Sequence, residues 1–220
     1  MKKTVLKKIL FMHAHLIVDE RREYLDGSLA VEDGRIRNVF PQSDRLYGDL
    51  SDYPLLDMKG SILLPAFACI GGDPVPEEGI LNILEEEAPL AYQDIFRDAS
   101  VSEKEATPFA KALADEEAYK SFRCPPSLPE EDLRILLKVS RRDRLILLPE
   151  EGKMLEEVRR LRKLGLPWRS IVAFTSRNLL AQQGRPASEG SFARGNEVRL
   201  LALTKEEERL FVLDKEVLQR

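Results

Sequence analysis

The sequence predicts an α+β protein: a β-domain assembled from both ends of the chain, with a mainly helical middle inserted between them. Three observations predict this. Up to Ile70 the chain reads as short strands and tight turns; from Val75 apolar residues recur at helical spacing; from Glu197 the strand pattern returns. A hairpin is marginal by itself, so neither end makes a comfortable sheet alone. The economical arrangement is one sheet or sandwich built from both. The expected division is a composite β-domain of residues 1–75 and 190–220, and a helical insertion over 76–189 with one β/α unit near 144–164.

Each element has its own signal. Residues 4–18 carry Val5, Leu6, Ile9, Leu10, Phe11, Leu16, Ile17 and Val18, a strand composition. Asp26-Gly27 and Asp33-Gly34 are turn signals around Ser28–Val31 and the alternating Arg35–Phe40. Leu55–Gly60 gives a short strand and turn. Ile62–Leu64 and Phe67–Ile70 form an apolar run bounded by Gly and Pro, which suggests one strand buried on both faces. After Pro76, Ile80, Leu81, Ile83 and Leu84 begin a helical pattern that Pro89 should kink. Ser102 with Glu105 opens a helix through about Phe122, and Ser127 with Glu130 another through about Val139. Arg144–Leu148 reads as a buried strand. Helices follow over about Pro149–Leu164 and Pro167–Gln183, then strands over Glu197–Leu203, Arg209–Leu213 and Glu216–Leu218, with a turn at Asp214-Lys215.

Composition narrows the function classes. Hydrophobic residues make up 43%, charged residues 33%, and the net charge is −4, so the whole chain has no electrostatic footprint for nucleic acid. No run approaches the roughly 18 apolar residues of a membrane span, and Lys7 and Lys8 interrupt the apolar core that a secretory signal needs. Cys69 and Cys124, two cysteines in all, fit a reducing compartment. The expectation is a cytoplasmic protein that binds neither nucleic acid nor membrane.

The place for chemistry is the end of the Ile62–Ile70 run, where Gly71-Gly72-Asp73-Pro74 forms a polar turn after a buried strand. Asp73 is a candidate catalytic carboxylate there, and Glu150 stands at the end of the Arg144–Leu148 strand. His13-Ala14-His15 spells His-x-His, and residues i and i+2 of a strand share a face, so the pair is a candidate metal chelate. Against each candidate stands a plainer reading. Asp73 between Gly and Pro is a turn residue, and the histidines are surface or partly buried strand residues. Glu85–Glu87 and Glu206–Glu208 are solvated, Cys69 is a small buried hydrophobe, and Ser176 belongs to its helix. Arg159, Arg160, Arg162 and Lys163 form a basic helix surface. Trp168 anchors the packing at a helix start.

Four landmarks resemble the amidohydrolase superfamily, in particular the N-acetylglucosamine-6-phosphate deacetylases. Tyr24–Ile36 is similar to the family's "dgsllIedGrI" hairpin. Gly60–Phe67 resembles the "G-x-x-L-x-PGFID" that leads into the first barrel strand. Leu164–Asn178 is similar to the last barrel helix with its "T-x-N-A" signature, and Gly190–Gly195 resembles the "G-x-I-x-x-G" before the returning strands. The resemblance implies a composite β-sandwich and a remnant of a (β/α) barrel. A whole barrel needs on the order of 250 residues. It also implies where metal ligands would stand, and there this sequence departs. Pro65–Cys69 replaces "PGFID", Gly71 and Asp73 stand where a strand-end His-x-His would be, and Arg199 occupies the position of the aspartate in "GxxADLvvld". With only His13 and His15 in the chain, a multi-histidine zinc site is not expected.

The expected function is therefore a catalytically degenerate amidohydrolase-like protein with a binding or scaffolding role, without a cofactor. An alternative is a small hydrolase of C–N bonds with a rebuilt site using zinc or another divalent metal. Another is a ligand-sensing or accessory subunit in amino-sugar metabolism that takes a small-molecule ligand. Loss of barrel surface would expose apolar area, so either the unplaced helices of the middle fold back over it or the protein is a homo-oligomer, most simply a symmetric dimer.

Overall fold

In the computed structural model, residues 7–70, 80–84, 120–124, 130, 134, 137, 145–149, 153–182 and 184–214 are described. The chain divides into two compact units, one of Met1–Ala66 with Ala187–Arg220 and one of Phe67–Pro186.

The first unit is a mixed seven-stranded sheet drawn from both ends of the chain. Its strands are β1 (Lys8–Ile17), β2 (Glu23–Glu32), β3 (Arg35–Phe40), β4 (Leu55–Asp57) and β5 (Ile62–Pro65), joined by the returning β10 (Arg199–Leu203) and β11 (Arg209–Asp214). Their order is β11-β10-β5-β1-β2-β3, with β4 also beside β1. β10 runs antiparallel to β5, with Leu201 opposite Leu64 and Leu203 opposite Ile62. Adjacent residues point to opposite faces of a strand, and both faces are used. Phe11, Leu16, Leu29, Leu63, Phe192 and Leu200 fill one core, while Leu10, Ala30, Phe40 and Tyr53 fill another. The α+β class and the composite origin of this sheet are as the sequence implies.

β1 bends at His13, which has φ 53. Against β2, one extra residue enters β1 between Phe11 and Ala14, and one extra enters β2 between Gly27 and Tyr24. On its other side β1 pairs first with β4 and, beyond the bend, with β5. The β4–β5 connection follows the bend: Gly60 (φ 79) donates its N–H to the His13 carbonyl at 2.6 Å.

One expected turn is not a turn. Asp33-Gly34 makes the β2–β3 hairpin, with φ 49 and 72, but Asp26-Gly27 lies within β2. A Cβ at Gly27 would stand 3.1 Å from the Leu16 Cβ, the Phe40 carbonyl oxygen and the Tyr24 Cβ. A Cβ there would be tighter than ordinary contact with three neighbours, one of them backbone, which would have to give by a few tenths of an ångström. Gly27→Ala should therefore cost about 1–3 kcal/mol, read as a lowered midpoint in urea denaturation. An unchanged midpoint would show that the β1–β2 bulge relaxes freely.

The second unit contains two parallel strand pairs. β6 (Phe67–Ile70) pairs with β7 (Ile80–Leu84), and β8 (Lys120–Cys124) with β9 (Leu145–Pro149). The expected single strand over Ile62–Ile70 is thus two strands, β5 and β6, broken at Ala66 and belonging to different units. Two helical expectations also change: Ile80–Leu84 and Lys120–Cys124 are strands. Five residues are too few to show a period that separates a strand from a helix. The Ser127–Val139 helix holds at Glu130, Arg134 and Leu137, its described positions. Glu216–Leu218 and the Asp214-Lys215 turn involve residues outside those described.

α1 (Met154–Lys163) ends at Gly165, φ 84. Gly165 N–H bonds the Arg162 carbonyl and Leu166 N–H the Leu161 carbonyl, the paired closure of a Schellman end. A second helical stretch follows as α2 (Trp168–Val172), a π turn over Ala173–Arg177 and α3 (Asn178–Gln182). Leu179 and Leu180 pack on Ala68 of β6 and Ile146 of β9.

Candidate functional site

Ligand sites in parallel β/α arrangements form beyond the carboxyl ends of the strands. In the second unit those ends are Ile70 of β6 and Pro149 of β9. The residues that continue them, with the candidates Asp73 and Glu150, lie outside the described residues, as do Gly71 and Glu85–Glu87. Cys69 sits within β6 opposite Ile83, and Cys124 ends β8 opposite Pro149.

What the described residues define is the opposite end of this unit. Asn178 is fully buried, and its Nδ2 donates to the Leu145 carbonyl at 2.7 Å, while its Oδ1 accepts from Arg177 at 3.1 Å. Leu145 is the first residue of β9. At about 3.3 Å per residue the strand's carboxyl end is roughly 13 Å away. Asn178 therefore ties the helix to the strand's entrance and takes no part at its exit. Thr175, also buried, returns its hydroxyl to the Ile171 carbonyl at 2.7 Å. Ser176 is buried in the π turn, which agrees with its reading as a helix residue. Its neighbour Asn178 carries a structural role that its position in the helix pattern did not announce.

Near the α1–α2 turn, Leu137, Leu164, Leu166, Pro167, Ser170 and Phe174 line a cleft of about 180 Å³. That is below the roughly 300 Å³ at which small-molecule sites begin. The basic surface of α1 is partly engaged internally. Arg162 donates to the Leu166 carbonyl at 2.7 Å and lies 4.8 Å from the Trp168 ring centre, and Arg160 reaches Glu157 at 3.6 Å.

Glu157 is a buried carboxylate on the same helix face as Leu161. It is 5% exposed, and its Oε1 has no hydrogen-bond partner. Burial pushes its carboxyl above the usual range, and Arg160 only partly opposes this. A carboxyl whose folded pKa is raised stabilises the fold below its unfolded pKa, near 4.5, and that contribution is lost as pH rises through the folded value. Glu157→Gln keeps the shape and an acceptor for Arg160 but removes the buried charge. It should stabilise the protein by about 1 kcal/mol at neutral pH and make no difference at pH below the unfolded value. Thermal midpoints of both proteins across that range check the sign; a variant less stable at neutral pH would show that the Arg160 pairing outweighs desolvation.

The two histidines lie in the other unit. His13 Nδ1 meets Asp26 Oδ1 at 3.0 Å, and His15 Nε2 meets Glu23 Oε1 at 2.7 Å. The bulge at His13 interrupts the strand alternation on which a shared chelating face depends. Each imidazole instead meets its own β2 carboxylate. Glu206–Glu208 form the β10–β11 loop, where Thr204 accepts from Glu206 and Glu208 at its hydroxyl. Among the described residues, no group of three or more His, Cys, Asp or Glu is arranged to hold a metal ion. These donors do not fit the zinc that the fold resemblance brings with it. Among the described residues no helix is long and apolar enough to cross a membrane.

No protein-family model and no curated protein sequence matches this chain. Solved structures do match. The N-acetylglucosamine-6-phosphate deacetylase of Pasteurella multocida aligns with a TM-score of 0.64 at 10% identity, covering 94% of this chain and 98% of that one. The deacetylase of Mycobacterium smegmatis aligns at 0.62 and 11% identity, with 94% and 98% covered. A β-aspartyl dipeptidase from Fervidobacterium islandicum aligns at 0.59 and 9% identity, with 95% of each chain covered. The amidohydrolase-like fold that the four sequence landmarks imply is the fold of this chain. At these identities the likeness concerns fold.

Proposed function

We propose that this chain is an amidohydrolase-fold protein that has exchanged metal-assisted hydrolysis for binding, with a partner or small ligand taken at the carboxyl ends of β6 and β9. One observation carries the reading. Both histidines of the chain lie in β1, where each meets a carboxylate of β2. No further imidazole exists anywhere in the sequence to serve the strand ends of the second unit, where a zinc hydrolase of this kind would gather several. The second reading, a metal-dependent hydrolase of C–N bonds built on carboxylates such as Asp73 and Glu150, is favoured by the fold likeness to a deacetylase and a dipeptidase.

Metal analysis of the purified protein, with assays on N-acetylated sugar phosphates and cyclic amides, separates them. Binding alone predicts substoichiometric metal, no turnover with added zinc or manganese, and a thermal shift with any ligand that selects the native state. One metal per chain together with turnover that chelation abolishes would overturn it. Light scattering at micromolar concentration tests the associated expectation of a dimer, which a monomer would remove.

A further inference from the structure

We propose that His13 is a phosphoryl-accepting side chain, poised to take a phosphoryl group from a small acyl phosphate. The inference is independent of the binding function above and rests on how the sheet treats its two imidazoles. A carboxylate only accepts hydrogen bonds, so in the neutral ring Asp26 holds the proton of His13 on Nδ1 and Glu23 holds that of His15 on Nε2. The two rings are thus opposite tautomers. His15 spends its Nε2 on Glu23 and is 21% exposed at the side chain. His13 has its outer nitrogen, Nε2, with a lone pair and no proton, on a side chain 49% exposed.

The backbone that carries the ring is also held. The His13 backbone N–H donates to Ser43 Oγ at 2.9 Å, and the Ser43 hydroxyl, itself buried, lies 3.1 Å from the carbonyls of Asp26 and Gly27. The His13 carbonyl takes the Gly60 N–H. This pins the bulge from both sides, and the positive φ of His13 sets it apart from the regular strand. Lys59, with a positive φ of its own, belongs to the same bend, and the Lys205 side chain lies against Gly60.

In the transfer, the Nε2 lone pair attacks phosphorus and an N–P bond forms. The P–O bond to the acyl group breaks, and the carboxylate leaves with the bonding electrons. Nε2 carries no proton, so none has to be removed, and the positive charge that develops on the ring faces the Asp26 carboxylate. Histidine is an established covalent nucleophile when a neighbouring group orients it.

The test treats the full chain with acetyl phosphate at about pH 8, where an ordinary imidazole is neutral, and follows intact mass and acid lability. The proposal expects one acid-labile phosphoryl group on the wild type and on His15→Asn, and none on His13→Asn. Asparagine tolerates the positive φ, and circular dichroism confirms that the variant is folded. Asp26→Asn should accept the group about ten-fold more slowly. Long-range ¹H–¹⁵N spectra should show His13 protonated on Nδ1. No adduct on the wild type, an adduct that survives in His13→Asn, equal labelling of His15, or an Asp26→Asn rate equal to wild type would each overturn it.

Discussion

Removal of residues 199–220 is expected to abolish cooperative folding of the first unit. The deletion takes β10 and β11, and with them Leu200, Ala202 and Leu213 from the core and Phe211 from its stack on Phe11. Leu200 and Leu213 alone contribute about 3–6 kcal/mol by area, against a total stability of roughly 5–15 kcal/mol for a whole domain. The deletion also leaves β5 with an open edge, because Ile62–Pro65 lose the partners Leu200–Leu203. Hydrogen exchange should show the amides of β1, β2 and β5 unprotected in the truncated chain. Protection at wild-type level over these strands would mean that the N-terminal strands form a self-sufficient sheet. The same pairing joins Leu63 to Ala202, a contact between distant parts of the sequence. Such contacts are closed late and slowly in folding.

The composite sheet was legible because its signals are local and independent. Asp33-Gly34 supplies the positive φ pair of a tight hairpin, and the apolar returns after Glu197 are short and separated by polar turns. The same kind of reading fails at Asp26-Gly27, where an identical dipeptide serves a tertiary need. Gly27 accommodates the close approach of Leu16, Tyr24 and the Phe40 carbonyl, none of which adjoins it in sequence. Ile80–Leu84 fails for the opposite reason. Ile80–Leu84, with Asn82 at its centre, is too short to show a period of its own, and it is found paired with β6.

Sites are harder to read than strands because they depend on geometry that pattern does not carry. His13-Ala14-His15 resembles a chelating pair only if the strand is regular, and the bulge at His13 removes that premise. Glu157 sits between Glu156 and Val158 in a helix rich in charge, yet it faces inward with Leu155, Val158 and Leu161. Its spacing from Leu161 is that of a core position, which was a signal available in the sequence. Asn178 was visible as part of a resemblance, but its work, a hydrogen bond to the start of β9, depends on a strand 33 residues earlier in the chain.

Trp168→Ala should be the most damaging single substitution in the second unit, at about 3–5 kcal/mol. Trp168 is 1% exposed and opens α2 directly after Pro167, whose φ of −70 and ψ of 150 set the chain's approach to the helix. The side chain does more than fill volume. Arg162 crosses from the last turn of α1 to lie over its ring and donates to the Leu166 carbonyl. The indole, the guanidinium and the Gly165 closure therefore fix the α1–α2 turn together. Removing the ring leaves a cavity and takes away the surface on which Arg162 rests, whereas Arg162→Met should cost only about 1 kcal/mol. This difference can be measured cleanly, because Trp168 is the single tryptophan of the chain. Its emission follows the second unit in Arg162→Met, and far-ultraviolet circular dichroism follows Trp168→Ala. Equal losses in the two variants would show that the turn depends on the arginine contact rather than on burial of the ring. A loss well below 2 kcal/mol for Trp168→Ala, less than any ordinary large-to-small core change of this size, would show that the turn collapses to fill the space.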